Sequence, residues 1–308
     1  MSIKNKIISY LKQNLFPYIR KKTGVRSLTH VKNKYKRKWD KKIHNKSFSP
    51  EELENKLRKL GIEEGDTVCV HSSWDEFYNF SGNPEKVIEI FLNILGNEGT
   101  LMMPSYPLLR KENSVFSLKS TPTKAGLLPE VFRNYPGVKR SLDIHSVVAL
   151  GKNAVLLTES HQFSKTSWDE NSPYYILKAI KGKVINFGLG KYHVGTVMHC
   201  ADSILSKELE YFKTFFTKKK ELKIKKEDGE IFQKEYYTAS EDFSFIFTEK
   251  YHSEYIKKYF DKTKYKIDKI SNLNITLFDA TYTIDRSIEL ARKGIVVYLS
   301  PDPKKFKF

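Results

Sequence analysis

The chain has 308 residues, of which 40% are hydrophobic and 29% charged, and its formal net charge is +18. This composition is typical of a folded globular protein and excludes wholesale disorder. No apolar run approaches the roughly 20 residues of a membrane-spanning helix, and the first residues lack the pattern of a secretory signal. The two cysteines, Cys69 and Cys200, exclude a disulfide framework and favour a reducing compartment. We therefore expect a cytoplasmic protein.

The positive charge is concentrated at the N-terminus. Residues 1–46 hold 15 Lys and Arg against one acid, Asp40, a net charge of +14, so the other 262 residues carry +4. Apolar residues recur at helical spacing from Ile3 to Ile19, which predicts an amphipathic helix in this basic arm. Two interpretations of this helix are open. It binds peripherally to the anionic surface of the inner membrane, or it packs on the body of the protein or on a partner chain. Nucleic-acid binding is the least favoured interpretation, because no motif accompanies the basic residues.

After the arm, helix and strand signals alternate. A hydroxyl cap, a proline and two acids at Ser49–Glu52 begin a helix that ends at Gly61. A strand at Thr67–Val70, a helix from Pro84 to Gly96 and a strand at Thr100–Met103 come next, which predicts a parallel unit of an α/β sheet. The alternation recurs over Val147–Leu150, Ile176–Ile180 and Val184–Phe187, and Asp228-Gly229 between Glu221–Lys225 and Ile231–Tyr236 predicts a hairpin.

Polar residues directly follow the first strand, and ligands of open α/β sheets bind at the carboxyl ends of strands. His71, Ser72 and Ser73 offer an imidazole, two hydroxyls and loop N–H groups to a polar or anionic ligand. Further along, Gly126 lets the backbone approach a ligand, while Lys124 and Arg140 supply positive charge for a phosphate. A structural turn, a helix cap and solvated basic residues would give the same pattern.

A third segment carries a candidate general base. If Thr196 begins a helix, His199 and Asp202 are three residues apart and lie on one face. A carboxylate beside an imidazole fixes its tautomer and supports its charged form, as general-base chemistry requires. A structural histidine remains the alternative. A covalent role for Cys200 is disfavoured, because adjacent helical residues diverge by about 100°.

Five motifs occur in one order over roughly residues 50–205. They are Gly65–Ser73, Gly96–Pro104, Thr121–Arg133 with Arg140-Ser141, Ser172-Pro173 and Gly188–Asp202. Together they resemble the aminoglycoside 3-N-acetyltransferases. The basic arm lies outside this resemblance.

The resemblance implies a three-layer α/β/α fold with a mostly parallel central sheet, to which the predicted hairpin adds a C-terminal β region. It implies that residues 47–308 form an acyltransferase domain that uses acetyl-CoA, or another acyl-CoA, and no metal. The acyl group would pass to an amine, with His199 as the catalytic base and Asp202 beside it. A homodimer is left open.

The resemblance also carries roles for the polar segments. Acyl-CoA is expected to contact His71, Ser72, Ser73, Thr121, Lys124, Gly126, Arg140 and Ser141. Ser72 and Ser73 are the candidates to donate hydrogen bonds to the oxyanion of the tetrahedral intermediate. Asp143 and His145 lie in the segment that is near the acceptor in the family, and we expect them to contact the amine or its sugar ring.

The chain departs from the family pattern at two places, of which the second lies near the acceptor in the family. Asp202 stands where the family usually has Glu, and the segment Leu142–Ser146 lacks the proline that commonly follows Arg-Ser. The slightly basic body also argues against a polycationic drug, which should prefer an acidic cleft. We therefore predict acylation of an amino sugar on an anionic carrier, for surface-polysaccharide synthesis. The alternatives are aminoglycoside acetylation that confers antibiotic resistance, and a catalytically silent scaffold or nucleic-acid-binding protein that uses the arm.

Overall fold

The computed structural model describes residues 41–109, 114–239 and 248–308. The chain divides into two compact units, Met1–Lys46 and Ser47–Phe308. The amphipathic helix predicted for the basic arm lies outside the described residues and stays a prediction. Within the described ranges, every helix is too short or too polar to span a lipid bilayer.

The second unit alternates helices with strands. The helices are α1 Pro50–Leu60, α2 Pro84–Leu95, α3 Leu127–Arg133, α4 Ala154–Glu159, α5 Pro173–Ala179, α6 His199–Leu205, α7 Glu210–Lys213, α8 Glu249–Tyr259 and α9 Ala280–Ala291. The strands are β1 Thr67–Ser72, β2 Thr100–Pro104, β3 Phe116–Ser117, β4 Lys139–Arg140, β5 Val147–Gly151, β6 Lys183–Phe187, β7 Lys218–Lys225, β8 Ile231–Thr238, β9 Tyr265–Ile270 and β10 Leu273–Asp279.

Helix boundaries follow the predicted caps. Ser49 and Glu52 form a reciprocal capping box at the start of α1, with the Glu52 N–H 3.1 Å from the Ser49 hydroxyl. Gly61 ends α1 at φ +92°, a conformation that suits glycine. Asn83 caps α2, with Pro84 in its first turn. Local side-chain chemistry therefore sets these boundaries, as predicted.

Seven strands form the central sheet in the order β4-β5-β2-β1-β6-β10-β9. The three central strands run parallel, with Cys69 opposite Met102 on one side and Val184 on the other. The outer strands pair antiparallel, β5 and β4 at one edge and β10 and β9 at the other. The predicted α/β class is confirmed, with its parallel pairing at the centre of the sheet.

Helices cover both faces of this sheet. Along β1, Val68 and Val70 pack into the apolar cluster under α1–α3, while Cys69 between them packs into the cluster under α4–α9. Alternate residues of a strand point to opposite faces, so β1 contributes to two cores at once. The three-layer α/β/α arrangement is confirmed. Because β1 is covered on both faces, its polar C-terminal end lies between the two helix layers.

A second, three-stranded sheet has the order β3-β7-β8. The predicted hairpin is confirmed as β7 and β8, and β3 adds to it in parallel. Phe116, Leu222 and Ile224 form its small core. The Tyr237 N–H donates to the Lys165 carbonyl at 2.7 Å, which ties β8 to the segment that carries Trp168.

Candidate active site

A cavity of about 360 Å³ opens between α6, the hairpin and the C-terminal segment. Its walls are largely aromatic and apolar, with one carboxylate and three imidazoles. The lining residues include His199, Asp202, Trp168, Phe216, Tyr298, Thr196, His193 and His252. A concave apolar site with a few converging polar groups is typical of ligand binding.

His199 and Asp202 meet in this wall, as predicted from their spacing. Helix α6 begins at His199, directly after a 3₁₀ turn at Thr196–Met198. The His199 Nδ1 lies 3.0 Å from Asp202 Oδ2. The His199 side chain is 44% exposed and that of Asp202 only 9%. The second imidazole nitrogen, Nε2, makes no hydrogen bond to any residue that the structure describes. With its proton on Nδ1, the ring presents the Nε2 lone pair as a base.

Tyr298 joins the pair from the C-terminal segment. Its hydroxyl donates to Asp202 Oδ2, and its oxygen lies 3.3 Å from the His199 Nδ1. Burial first, and then the charge of Asp202, raise the pKa of Tyr298 well above its ordinary value, so the phenol stays protonated. The sequence analysis missed Tyr298, because no local pattern links it to a carboxylate 96 residues away.

His71 supports the cavity wall from behind. The Thr196 N–H donates to His71 Nε2 at 3.3 Å, and Nδ1 lies 3.9 Å from the Cys69 sulfur. Nε2 is thus the acceptor and Nδ1 carries the proton. Burial, followed by the charge of His193, lowers the pKa of His71 to about 3. Tyr106 completes the contact, with its hydroxyl 2.8 Å from Thr196 Oγ1. The structure gives His71, an expected acyl-CoA contact, a buried role in fixing the turn before His199.

Gly195 makes this close packing feasible. Its φ of +77° and ψ of −167° lie in a region nearly restricted to glycine. A Cβ at this position would lie 2.8 Å from His71 Cε1 and 3.2 Å from Asn186 Oδ1. The turn that leads into α6 therefore requires a residue without a side chain.

We expect Gly195→Ala to lower the free energy of unfolding by about 2–4 kcal/mol, through backbone strain and the clash with His71. Gly229→Ala is the control, because Gly229 also has a positive φ but a Cβ there would have no neighbour within 4 Å. Urea denaturation of both variants measures the difference. If both variants lose the same free energy of unfolding, the clash with His71 contributes nothing to the effect of Gly195→Ala.

A row of contacting rings, tilted or edge-on to one another, connects the cavity to the predicted acceptor segment. Ring centroids are 5.4 Å apart for Tyr106 and His145, 4.3 Å for His145 and Trp168, and 4.9 Å for Trp168 and His199. Burial is the main reason why the pKa of His145 is lowered to about 4. Trp168 lines the cavity, whereas His145 packs behind it with the two rings tilted by 40°. The structure thus brings His145 near the site as support for Trp168, and its predicted contact with the acceptor stays a prediction.

Asp143 lies beneath this row and is completely buried. Its carboxylate is 2.6 Å from Lys234 Nζ and 3.5 Å from His161 Nε2, and it accepts the His145 N–H at 2.7 Å. Burial alone would raise the pKa of Asp143, but the charges of His161 and Lys234 lower it to about 2. We predicted that Asp143 contacts the acceptor; the structure instead pairs it with β8, because an unpaired carboxylate at this depth would be strongly unfavourable.

Removal of this carboxylate should leave Lys234 buried without a counter-charge. We expect Asp143→Ala to destabilise the fold by about 3–5 kcal/mol. The control is Asp268→Ala, which removes a partly exposed pair with Lys56 at 2.8 Å and should cost less than about 1 kcal/mol. The comparison is made from urea unfolding curves, and similar small losses would contradict the assigned pairing.

Arg140 and Ser141 are also interior residues, although both were expected at the acyl-CoA site. Arg140 donates to the carbonyls of Thr121 at 2.6 Å and Ser105 at 2.9 Å, and it stacks on Phe116 at 4.6 Å. Burial lowers its pKa to about 9. The Ser141 hydroxyl lies 2.8 Å from His161 Nδ1. The guanidinium thus ties loops together, and it is not directed at a ligand phosphate.

Of the remaining residues expected to contact acyl-CoA, some already form hydrogen bonds within the protein and others are accessible to a ligand. The Ser73 N–H donates to the Phe187 carbonyl at 2.9 Å, and the Thr121 hydroxyl accepts the Ser117 N–H at 2.8 Å. Lys124 is exposed, and a Cβ on Gly126, at φ +120°, would meet only the Ser72 carbonyl, at 4.0 Å. Ser72, Lys124 and Gly126 therefore form an open strip at the end of β1. Neither Ser72 nor Ser73 lines the cavity that holds His199, so the structure does not bring these oxyanion candidates to the dyad.

Cys200 follows His199 but belongs to the core. Its side chain is buried, and burial raises the pKa of the thiol well above its ordinary value. A neutral, inaccessible thiol is a poor nucleophile. Within the described residues, no group of three or more side chains is arranged to hold a metal ion.

His193 and His252 were missed by the sequence analysis. Both line the cavity, with their rings 6.2 Å apart. Burial first, and then the charge of His193, lower the pKa of His252 to about 3. A lone histidine in a loop or helix carries no local signal, and only the fold brings these two together.

Buried histidines should make the protein sensitive to acid. Burial lowers the pKa of His71 and His252 to about 3, and that of His145 and His161 to about 4. Unfolded histidine titrates near 6.5, so between about pH 6.5 and 4 the unfolded chain binds more protons than the native state. The free energy of unfolding should therefore fall steadily as the pH is lowered through this range. Urea denaturation at several pH values measures it, and a flat profile would contradict neutral buried imidazoles.

A sequence model of the aminoglycoside 3-N-acetyltransferases matches residues 69–291. The chain belongs to this family. The chain is 28% identical over 169 residues to the SPbeta prophage-derived aminoglycoside N(3')-acetyltransferase-like protein YokD of Bacillus subtilis, covering 47% of this chain and 61% of that one. It is 30% identical over 176 residues to aminoglycoside N(3)-acetyltransferase VII of Streptomyces paromomycinus, covering 49% and 59%. The chain thus spans about three fifths of the length of these relatives.

Solved structures share the fold over more of the chain. AAC-IIIb in a binary complex with CoASH superposes with a TM-score of 0.67 at 20% identity, covering 83% of this chain and 99% of that one. AAC(3)-IVa in complex with gentamicin gives a TM-score of 0.67 at 20% identity, covering 85% and 95%. At this level of identity the likeness shows the α/β/α fold alone.

The comparisons correct the predicted function. Acylation of an amino sugar for surface-polysaccharide synthesis is wrong as the main function, because the family and the relatives above are aminoglycoside acetyltransferases. The error came from using the net charge of the body to describe its cleft. A net charge reports on the whole surface, whereas an acceptor meets only the groups that line one cavity.

Proposed function

We propose that this protein is an aminoglycoside N-acetyltransferase, which transfers an acetyl group from acetyl-CoA to an amine of the drug and so confers resistance. The observation that supports it best is the His199–Asp202 pair at the wall of the cavity, with Nδ1 bonded to the carboxylate and Nε2 without a partner among the described residues. Membership of the family supplies the reaction class.

The pair would act by general-base catalysis. The nucleophile is the neutral amine, and His199 Nε2 takes a proton from its nitrogen as that nitrogen attacks the thioester carbonyl. The new C–N bond forms, the C–S bond breaks, and the proton on Nε2 passes to the departing thiolate. The products are an acetamide and free CoA. Asp202 keeps the proton on Nδ1 and stabilises the imidazolium that forms between these transfers.

We propose that the acyl donor lies along the open strip of Ser72, Lys124 and Gly126. Gly126 leaves space beside the Ser72 carbonyl, so a ligand chain can lie against the backbone there. The exposed ammonium of Lys124 is available to a phosphate of CoA.

The acceptor would occupy the cavity beside Trp168 and Phe216, which both line it and lie 6.4 Å apart. Aromatic faces attract cations, so an aminoglycoside gains cation–π contacts as well as packing on its sugar rings. The tilted His145 ring packs against Trp168 and keeps that ring in place beside His199.

The proposal is tested by thiol release from acetyl-CoA with a panel of aminoglycosides. We expect His199→Ala to lower kcat by about 10²–10⁴-fold, the usual contribution of a general base, while the affinity for CoA is unchanged. His44→Ala is the control, since His44 does not line the cavity. A scaffold would show no turnover with any drug, and full turnover by His199→Ala would exclude His199 as the base.

A further inference from the structure

One oxygen of Asp202 receives hydrogen bonds from two parts of the chain. Asp202 Oδ2 lies 3.0 Å from the His199 Nδ1 and also accepts the hydroxyl of Tyr298, whose oxygen is 3.3 Å from the same Nδ1. We propose that Tyr298 is a positioning residue, which fixes the Asp202 carboxylate against the imidazole and so completes a His199–Asp202–Tyr298 triad. This inference rests on the proposed function, since it presupposes that His199 is the base.

The hydrogen bond to His199 alone would hold the Asp202 carboxylate weakly, so a second hydrogen-bond donor matters for its orientation. Helix α6 is only seven residues long, with His199 as its first residue and Asp202 as its fourth. The Asp202 side chain has two rotatable bonds, and its hydrogen bond to an imidazole that is 44% exposed competes with water. A donor from a different element restricts the carboxylate to the rotamer that faces Nδ1.

Tyr298 is itself held firmly. It is 5% exposed, and its ring packs edge-on against Phe215 with centroids 5.1 Å apart at 90°. The segment before it is anchored by Tyr251, whose hydroxyl donates to the Val296 carbonyl at 3.3 Å. The phenol is thus a rigid donor, and a rigid supporting contact is what the precise placement of a catalytic group requires.

Tyr298 lies outside the residues that the family model matches. The family match covers residues 69–291, which includes His199 and Asp202 but ends before Tyr298. The third member therefore comes from outside the matched pattern.

Tyr298→Phe removes the hydroxyl and keeps the ring. A hydrogen bond to a charged group is typically strong enough for a change of about 10–100-fold in rate. We expect kcat to fall by that factor, with KM for acetyl-CoA and for the aminoglycoside changed by less than about twofold. Tyr282→Phe is the matched control, because it removes a phenol hydroxyl that accepts the Asp261 N–H at 2.6 Å and does not line the cavity. A kcat within about threefold of the wild type overturns the inference.

A double-mutant cycle separates positioning from general packing. We expect Asp202→Glu alone to lower kcat, because the longer carboxylate displaces the contact with Tyr298. In the Tyr298→Phe background the same Asp202→Glu change should be less harmful or should restore activity, since the longer side chain can reach Nδ1 unaided. If the two effects simply multiply, the positioning role is overturned. If Tyr298→Phe does not fold, the kcat of Asp202→Glu alone tests the inference. A wild-type kcat for Asp202→Glu then overturns it.

The outcomes also distinguish this inference from the proposed function. Loss of turnover in His199→Ala together with a wild-type kcat in Tyr298→Phe overturns the triad and leaves the base intact. Retained turnover in His199→Ala overturns the proposed function itself.

Discussion

The geometry of the site depends on a single buried carboxylate oxygen, Oδ2 of Asp202. It binds the His199 imidazole from its own helix and the Tyr298 hydroxyl from the C-terminal segment. A buried charge is tolerated only with such partners, so the carboxylate holds these two elements together. The turn that starts the helix is fixed in turn by the contact of Thr196 with His71, which belongs to the central strand β1. The His199–Asp202 pair is thus attached to a central strand of the sheet.

A second buried network supports the opposite wall. Asp143 and Lys234 pair at 2.6 Å with both side chains almost fully excluded from solvent, and Lys234 also donates to the His161 carbonyl. Lys234 comes from the hairpin, and the Asp143 carboxylate accepts the N–H of His145, whose ring packs against Trp168. Through these contacts the small sheet determines where the aromatic wall of the cavity stands. Polar residues that look like ligand contacts in the sequence form hydrogen bonds and ion pairs inside the fold. Arg140 and Ser141 are further examples.

The charge of the chain shows how composition can mislead about a substrate. The +18 total is mostly carried by residues 1–46, and the mildly basic remainder suggested an anionic acceptor. Inside the cavity, however, burial lowers the pKa values of His193 and His252, so that wall is neutral and not basic. The surface lysines meanwhile form ion pairs at the exterior, such as Lys219 with Glu235. Only the groups that line a cavity act on what enters it.

The sequence by itself determined the elements and the dyad. Helix caps such as Ser49, strand patterns such as Thr67–Val70 and the three-residue spacing of His199 and Asp202 are local features, and local physics decides them. Only the tertiary structure decided which polar residues are exposed to a ligand and which are buried. Asp143, Arg140 and Ser141 have partners that lie 91, 35 and 20 residues away, at Lys234, Ser105 and His161. Tyr298 likewise reaches Asp202 across 96 residues. No spacing rule covers such distances, because they are set by how the sheet, the hairpin and the C-terminal segment pack together.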